Sequence, residues 1–296
     1  MKNHLGKIVD KVQGYTIIDC RKCEFKHVFP FPPEEKLQKL YREDFYSTKK
    51  PDYFKFVQKD LEWWMLTYSN YYKLFEKHTK GKRLLEIGSG PGYFLECGKH
   101  MDWEVLGFEP SKQAYMYSIR KGVKVINDFF TIDKAHIYGK FDVVHMSFVL
   151  EHLADPLTLL ENAKRVLNKG GLISIVSPND YNPLQNILRR NLDFDPWWIV
   201  PEQHINYFDF DSIQKLFKQF QFKIVELQGT FPMEFFLLSG ENYIENNTVG
   251  RKSHARRKKF EMAMYKFDRE RLNNIYKSLS KFNIGREFLV IGKLIK

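Results

Sequence analysis

Three glycines at alternating positions, Gly88, Gly90 and Gly92, follow the carboxylate Glu86 in the run LLEIGSGPGYF. Glycine at such spacing lets the backbone take positive φ and lets a ligand lie against bare main chain. An apolar strand passing through a glycine loop into a helix is the nucleotide-binding corner of doubly wound α/β folds, with ligand beyond the carboxyl ends of the strands. Spacing separates two chemistries here. A dinucleotide fingerprint needs G-x-G-x-x-G or alanine in the last place, and Tyr93 stands there. The pattern present is E-x-G-x-G-x-G. In GFEPS, 17 residues beyond Gly92, Glu109 ends a second apolar run, where a carboxylate can accept both hydroxyls of a ribose. The competing role for Glu109 is an exposed acid at a strand end.

Two further groups carry chemistry. His204, in PEQHINYFDF, is a side chain that can take a proton at neutral pH. Its other roles are to pin its loop by bonding to backbone, or to join Glu151 and His152 on a metal. Near the N-terminus, Cys20, Cys23 and His27 stand in C-x₂-C-x₃-H spacing, with His4 as a possible fourth ligand. A structural zinc wants four ligands.

Elements that position these groups follow from the periodicity. Strands are expected over residues 83–87, 104–109, 124–127, 141–147 and 172–177, and helices after Gly92 and near Ser111, Pro156 and Asp211. Ser111 and Asp211 suit N-caps, and Pro156 suits a first helical turn. Alternation of strand and helix implies parallel strands with right-handed crossovers. An aromatic helix over residues 60–80 should stop at Gly81. FKIVELQG (222–229) and REFLVIGKL (286–294) read as a closing pair of strands, and the long stretch between them as an inserted helical cap with a helical pattern over 260–279. The chain thus divides into an irregular appendage (1–58), a core (59–228), the cap (229–284) and a last core strand (285–296).

Composition bounds the reading. The 296 residues are 43% hydrophobic, so the chain can bury a sizeable core. No run is long enough to span a membrane, and the N-terminus lacks the apolar core of a signal peptide. Three cysteines without such a signal point to a reducing cytoplasm. The net charge of +11 is scattered except for RKSHARRKK, residues 251–259, and is read first as a solvated helix face. An anionic acceptor and nucleic acid are the alternatives. The doublets Trp63–Trp64 and Trp197–Trp198 are expected near a pocket mouth, as core or as a flat wall for a ring-shaped substrate.

The segment from about Lys82 to Phe222 resembles the class I S-adenosylmethionine (SAM)-dependent methyltransferases. It does so through E-x-G-x-G-x-G, GFEPS, VINDFF, FDVVHMSFVLEHLADP and NAKRVLNKGGLISIVSPN. The resemblance implies an α/β, doubly wound, Rossmann-like sheet of seven strands with the last antiparallel, carrying an N-terminal appendage and a C-terminal helical insertion. It implies SAM as cofactor, held by Glu86, Gly88, Ser89, Gly90, Gly92, Glu109 and Pro110. Asp128 and Phe129 would meet the adenine, and Met146, within the segment that closes over SAM, would also bind the cofactor.

Two softer resemblances concern the acceptor. Residues 17–46 look like half of a zinc-bearing N-terminal module of sugar C-methyltransferases, which carry two C-x-x-C pairs. Only Cys20 and Cys23 stand here, so a metal-free remnant is expected and zinc on Cys20, Cys23 and His27 is the alternative. PEQHINYFDFDSIQKLF resembles the E-H-x-x-Y-F segment of the same enzymes. That makes His204 the general base, with Tyr207 and His152 in reserve, although Gln203 replaces their glutamate. Some relatives bind Mg²⁺ through Glu-x-x-Glu-His, and Phe148 stands where their first glutamate does. The implied activity is methyl transfer to a small-molecule acceptor, a nucleotide sugar or glycan precursor being favoured. An RNA methyltransferase, a non-catalytic SAM-fold protein and an oxidoreductase are the rivals.

Overall fold

The computed structural model describes residues 4–295. Its first elements correct the expectation of an irregular appendage. Strands β1 (Gly6–Val12) and β2 (Tyr15–Cys20) form a hairpin through Gln13 and Gly14. Both turn residues have positive φ, 52° and 81°, the geometry that matches strand twist in a two-residue turn. Strand β3 (Lys26–Phe29) pairs with β2. Helix α1 (Glu34–Lys39) continues as a π-helical segment, Leu40–Lys49, into α2 (Tyr53–Lys59) and the aromatic helix α3 (Leu61–Glu76).

The α/β core then follows in the expected order. It comprises β4 (Arg83–Ile87), α4 (Tyr93–His100), β5 (Glu104–Phe108), α5 (Lys112–Ile119), β6 (Lys124–Ile126), α6 (Ile132–Ala135), β7 (Phe141–Ser147), α7 (Pro156–Arg165) and β8 (Leu167–Pro178). Caps explain the helix starts. Ser111 Oγ accepts from the N–H of Ala114, and Asp155 caps α7, whose first residue is Pro156. Strand β8 starts earlier than expected and runs through Gly170, whose φ of 72° accommodates the irregular register beside Phe141.

After β8 come α8 (Pro183–Asn191), β9 (Asn206–Tyr207), α9 (Phe210–Gln219) and β10 (Phe222–Gly229). The cap of α9 is Asp209 rather than Asp211: its carboxylate accepts the Ser212 N–H at 2.8 Å while Ser212 Oγ accepts the Asp209 N–H, a reciprocal pair that Asp211 cannot make. Strand β9 pairs with β3, so the N-terminal sheet has the order β1-β2-β3-β9 and is tied to the core through the segment that carries His204.

Helix α10 (Glu234–Leu238) leads to α11 (Asn247–Phe267), α12 (Arg269–Ser280) and the last strand, β11 (Glu287–Leu294). The single helical pattern expected over 260–279 is therefore two helices, broken where Asp268 caps the second. The large sheet has the order β10-β11-β8-β7-β4-β5-β6, with β11 antiparallel to both neighbours. Strand order reverses beside β4, which puts a ligand crevice above its carboxyl end. Apolar clusters cover both faces, one built on Leu85, Ile87 and Phe288, the other on Leu84, Phe75 and Ile291. No helix of the described residues is long and apolar enough to cross a membrane.

Candidate active site

The glycine loop does what its spacing requires. Gly88, Gly90 and Gly92 have φ of 74°, 51° and 75°. The N–H groups of Gly88 and Ser89 both bond to the carbonyl of Phe108, locking the loop onto β5. Beneath it Glu86 is only 4% exposed, and burial, then the nearby Glu109, pushes its carboxyl well above the usual range. Glu86 Oε2 and Ser89 Oγ are buried without a partner. Unsatisfied buried oxygens are rare in native folds, so their presence beside bare glycine backbone fits a polar ligand.

Glu109 is not an exposed strand-end acid; it is buried. Its Oε2 accepts from Gly90 N–H at 2.7 Å and its Oε1 from Ser111 N–H at 2.8 Å. Burial raises its pKa to about 7, against the opposing pull of those two N–H groups. The carbonyls of Glu109 and half-buried Pro110 both accept from Asn127 Nδ2, which ties β5 to the end of β6. Asp128 and Phe129 lie next along the same edge. Met146 is fully buried in the apolar cluster, in register with Ile87, so its side chain supports the crevice floor.

A feature missed from the sequence is the roof. Arg42, on the π-helical segment, pairs with Asp128 at 2.8 Å and lies 4.8 Å from the centre of the Phe129 ring. Lys134 also pairs with Asp128, and together these cations hold its carboxyl below the usual range. Tyr46 is buried; a Cβ on Gly90 would stand 3.2 Å from its hydroxyl. Phe54 stacks on Tyr46 and, at 4.1 Å between centres, on Tyr117 of α5. The aromatic density of YREDFYSTKKPDYF was the available signal.

Glu151 and His152, just beyond β7, and His204, just before β9, come together with ligand atoms all within 4.8 Å of one another. Ser177 donates to Glu151 Oε2 at 3.0 Å, leaving Oε1 buried without a partner. His152 Nδ1 donates to the Gln203 carbonyl at 2.7 Å, so its Nε2 faces Glu151. His204 is half-buried, edge-on to His152, and its Nδ1 is an orphan. Burial lowers His152 to about 4 and His204 to about 2, and raises Glu151 to about 8. All three groups are therefore mainly uncharged at neutral pH. Tyr207 is buried on β9 with Ile17, Val28 and Trp198.

The N-terminal ligand set also converges. His4 Nδ1 lies 3.1 Å from His27 Nε2, 3.3 Å from Cys23 Sγ and 3.6 Å from Cys20 Sγ. His27 Nδ1 donates to the Val28 carbonyl at 2.8 Å, which turns Nε2 toward the thiols. This arrangement runs against the expectation of a metal-free remnant, because four ligands from three separate stretches meet at one buried point. All three cysteines are free thiols.

The basic cluster lies on α11, and three of its six Lys and Arg are held in ion pairs: Arg256 with Glu241, Lys258 with Asp60, and buried Arg257 with Glu261 and Glu287, while Arg251, Lys252 and Lys259 are exposed. The tryptophan doublets separate. Trp197 and Trp198 pack under the N-terminal sheet rather than at a pocket mouth, whereas Trp63 and Trp64 line a cavity between α3, α11 and the carboxyl ends of the strands.

With this geometry in view, comparison with known proteins gives three results. A family model described as "Methyltransferase domain" matches residues 54–227, more than half of the chain. Among curated proteins, a tRNA U34 carboxymethyltransferase of Campylobacter lari is 29% identical over 120 residues, covering 38% of this chain and 41% of that protein. A ubiquinone biosynthesis O-methyltransferase of Cereibacter sphaeroides is 34% identical over 109 residues, covering 35% and 44%. The chain thus spans less than half the length of these two relatives. Among solved structures, a SAM dependent methyltransferase from Archaeoglobus fulgidus matches with a TM-score of 0.51 at 18% identity, over 81% of this chain and 99% of that one, a likeness of fold.

Proposed function

The chain belongs to the methyltransferase-domain family, and from that premise we propose that it transfers the methyl group of SAM to a nucleophilic oxygen or carbon of a small-molecule acceptor. The observation that carries this reading is the pair of orphaned oxygens, Glu86 Oε2 and Ser89 Oγ, under a positive-φ glycine cradle with Glu109 at the next strand end. When bound, SAM supplies an electrophilic methyl whose carbon–sulfur bonding pair stays on sulfur as a neutral thioether. Glu86 and the loop backbone would hold the amino-acid part, Glu109 would accept the ribose hydroxyls, and Asp128 with Phe129 would face the adenine.

What remains for the protein is alignment and removal of one proton. His204 takes the acceptor's proton as the new bond to the methyl carbon forms. Burial keeps its imidazole neutral, which leaves a lone pair free but makes it a weak base unless the charge it gains is offset. Ionised Glu151, adjacent within the same group and with its proton released to bulk water, would offset the charge of the imidazolium so formed. Hydroxyl-rich acceptors, including the sugar class, gain support from orphaned buried acceptors: Asn179 Oδ1 and Asp180 Oδ2 after β8, and Glu234 Oε2 at the start of α10. Ion pairing of Arg256, Arg257 and Lys258 weakens the argument for RNA.

A second reading has its own observation. Two imidazoles and a carboxylate with inward-facing orphan atoms form a set suited to a divalent cation. There Glu151, His152 and His204 would bind the ion, which would lower the pKa of an acceptor hydroxyl. Separately, we propose that His4, Cys20, Cys23 and His27 hold a structural zinc, with no open position for chemistry. Formation of S-adenosylhomocysteine from SAM with a panel of small hydroxylated acceptors tests the main reading. Turnover supported only by RNA would overturn it.

A further inference from the structure

Two consecutive residues of the π-helical segment reach different parts of the crevice. Arg42 extends to the edge assigned to adenine, where it meets Asp128 at 2.8 Å and the Phe129 ring at 4.8 Å. Tyr41 extends to the His204 group: its hydroxyl donates to the Gln203 carbonyl at 3.2 Å, and its ring centre lies 5.1 Å from that of His152. The same carbonyl accepts from His152 Nδ1 at 2.7 Å. His204 follows directly, and the N–H of Ile205 bonds to the Glu151 carbonyl at 2.8 Å. One short loop thus joins the roof to His152, His204 and Glu151.

The roof also covers the cofactor crevice. Glu86, Ser89, Gly90 and Glu109 are all buried. Tyr46 stands over Gly90, whose N–H is bonded to Glu109, and Phe54 is stacked between Tyr46 and Tyr117 of α5. A molecule the size of SAM cannot reach these groups from bulk water until the residues above them move aside. The segment 40–59 is the part that can do so without opening the sheet.

Its polar attachments suit a part that lifts. The Arg42–Asp128 pair is open to water, with side chains 45% and 26% exposed, and Lys49 with Glu202, at 3.5 Å, is also exposed. Exposed pairs of this kind hold weakly. The π-helix itself is a rare conformation that concentrates at functional positions. Lifting the segment also withdraws the Tyr41 hydroxyl from the Gln203 carbonyl, so the two ends of the crevice open together.

We propose that Tyr41 is a positioning residue that makes the geometry of the His204 group conditional on the roof: cofactor entry lifts the roof and frees the Gln203 loop, and closure over bound cofactor sets that loop again. The proposal rests on the methyl-transfer reading above and adds an order to it, cofactor before acceptor.

Hydrogen exchange of the full chain, with and without S-adenosylhomocysteine, reads both ends. The ligand should slow exchange across residues 40–59 by at least about fivefold, the low end of coupling between linked sites, and should slow the amides of His204 and Ile205 in step. Tyr41→Phe keeps the ring and removes only the donor. It should retain the protection of the roof while the slowing at His204 and Ile205 is lost, and Tyr41→Ala should do the same. A merely structural tyrosine would instead speed loop exchange equally with and without the ligand, and that result would overturn the proposal. So would slowing at His204 and Ile205 that persists undiminished in both variants, or a roof whose exchange ignores bound ligand. Calorimetry on the same samples separates the two readings: absence of S-adenosylhomocysteine binding counts against the cofactor reading, and binding without protection of the roof counts against this proposal alone.

Discussion

Glu109 and Gly90 are joined by a hydrogen bond of 2.7 Å from the loop N–H to Oε2, so the carboxylate at the end of the second strand fixes the glycine loop at the end of the first. A single side chain thereby shapes two parts of one crevice. It orders the loop that would hold the amino-acid end of SAM and keeps lone pairs for the ribose.

The protonation of Glu109 should be visible in binding. Its folded pKa is about 7, raised mainly by burial, and only the ionised form is a full acceptor for two hydroxyls. SAM affinity should therefore rise as pH increases through about 7 and level off near 8. Below about pH 6 it should fall by roughly tenfold per unit, with a proton released on binding. Calorimetry at several pH values, in buffers of different ionisation enthalpy, measures both. An affinity flat from pH 6 to 8 would show that the carboxylate is not the ribose acceptor.

Zinc gives a stoichiometric test. Protein purified without chelator should contain about one equivalent, and Cys23→Ser should lose it. Burial and then the adjacent Cys20 push the Cys23 thiol up to about 12 in the metal-free state, so binding must release a proton from it. Loading should accordingly weaken as pH falls. Metal analysis that finds none, under conditions that protect thiols, would return the hairpin to a metal-free role.

His204→Ala should lower turnover by about 10²–10⁴ while leaving SAM affinity within a few-fold, the pattern for a general base. The rival cation reading predicts in addition that chelators abolish activity and that one divalent ion restores it. A fully active His204→Ala variant would remove both roles and pass the candidacy to His152.

The large sheet was legible because its strands are short apolar runs punctuated by glycine loops, and Glu86, Glu109 and the glycines fell where spacing put them. The roof was not legible. Arg42 and Tyr46 reach the crevice only because the π-helical segment folds back over it, a tertiary fact with no local periodicity. His4 could be named from the sequence only as a candidate fourth ligand, because its place beside Cys20, Cys23 and His27 depends on strand pairing across a 16-residue separation and more. The Asp211 cap failed for a smaller reason, since two aspartates two residues apart both suit a cap and the reciprocal bond with Ser212 selects Asp209.

The most direct test of the central claim is calorimetric titration of the purified chain with SAM and with NAD, repeated on Glu109→Ala. The account predicts that SAM binds, that NAD does not, and that the substitution weakens SAM by about 1.5–3 kcal/mol, as expected for lost bonds to a charged acceptor. Tight NAD binding with no heat from SAM would contradict it.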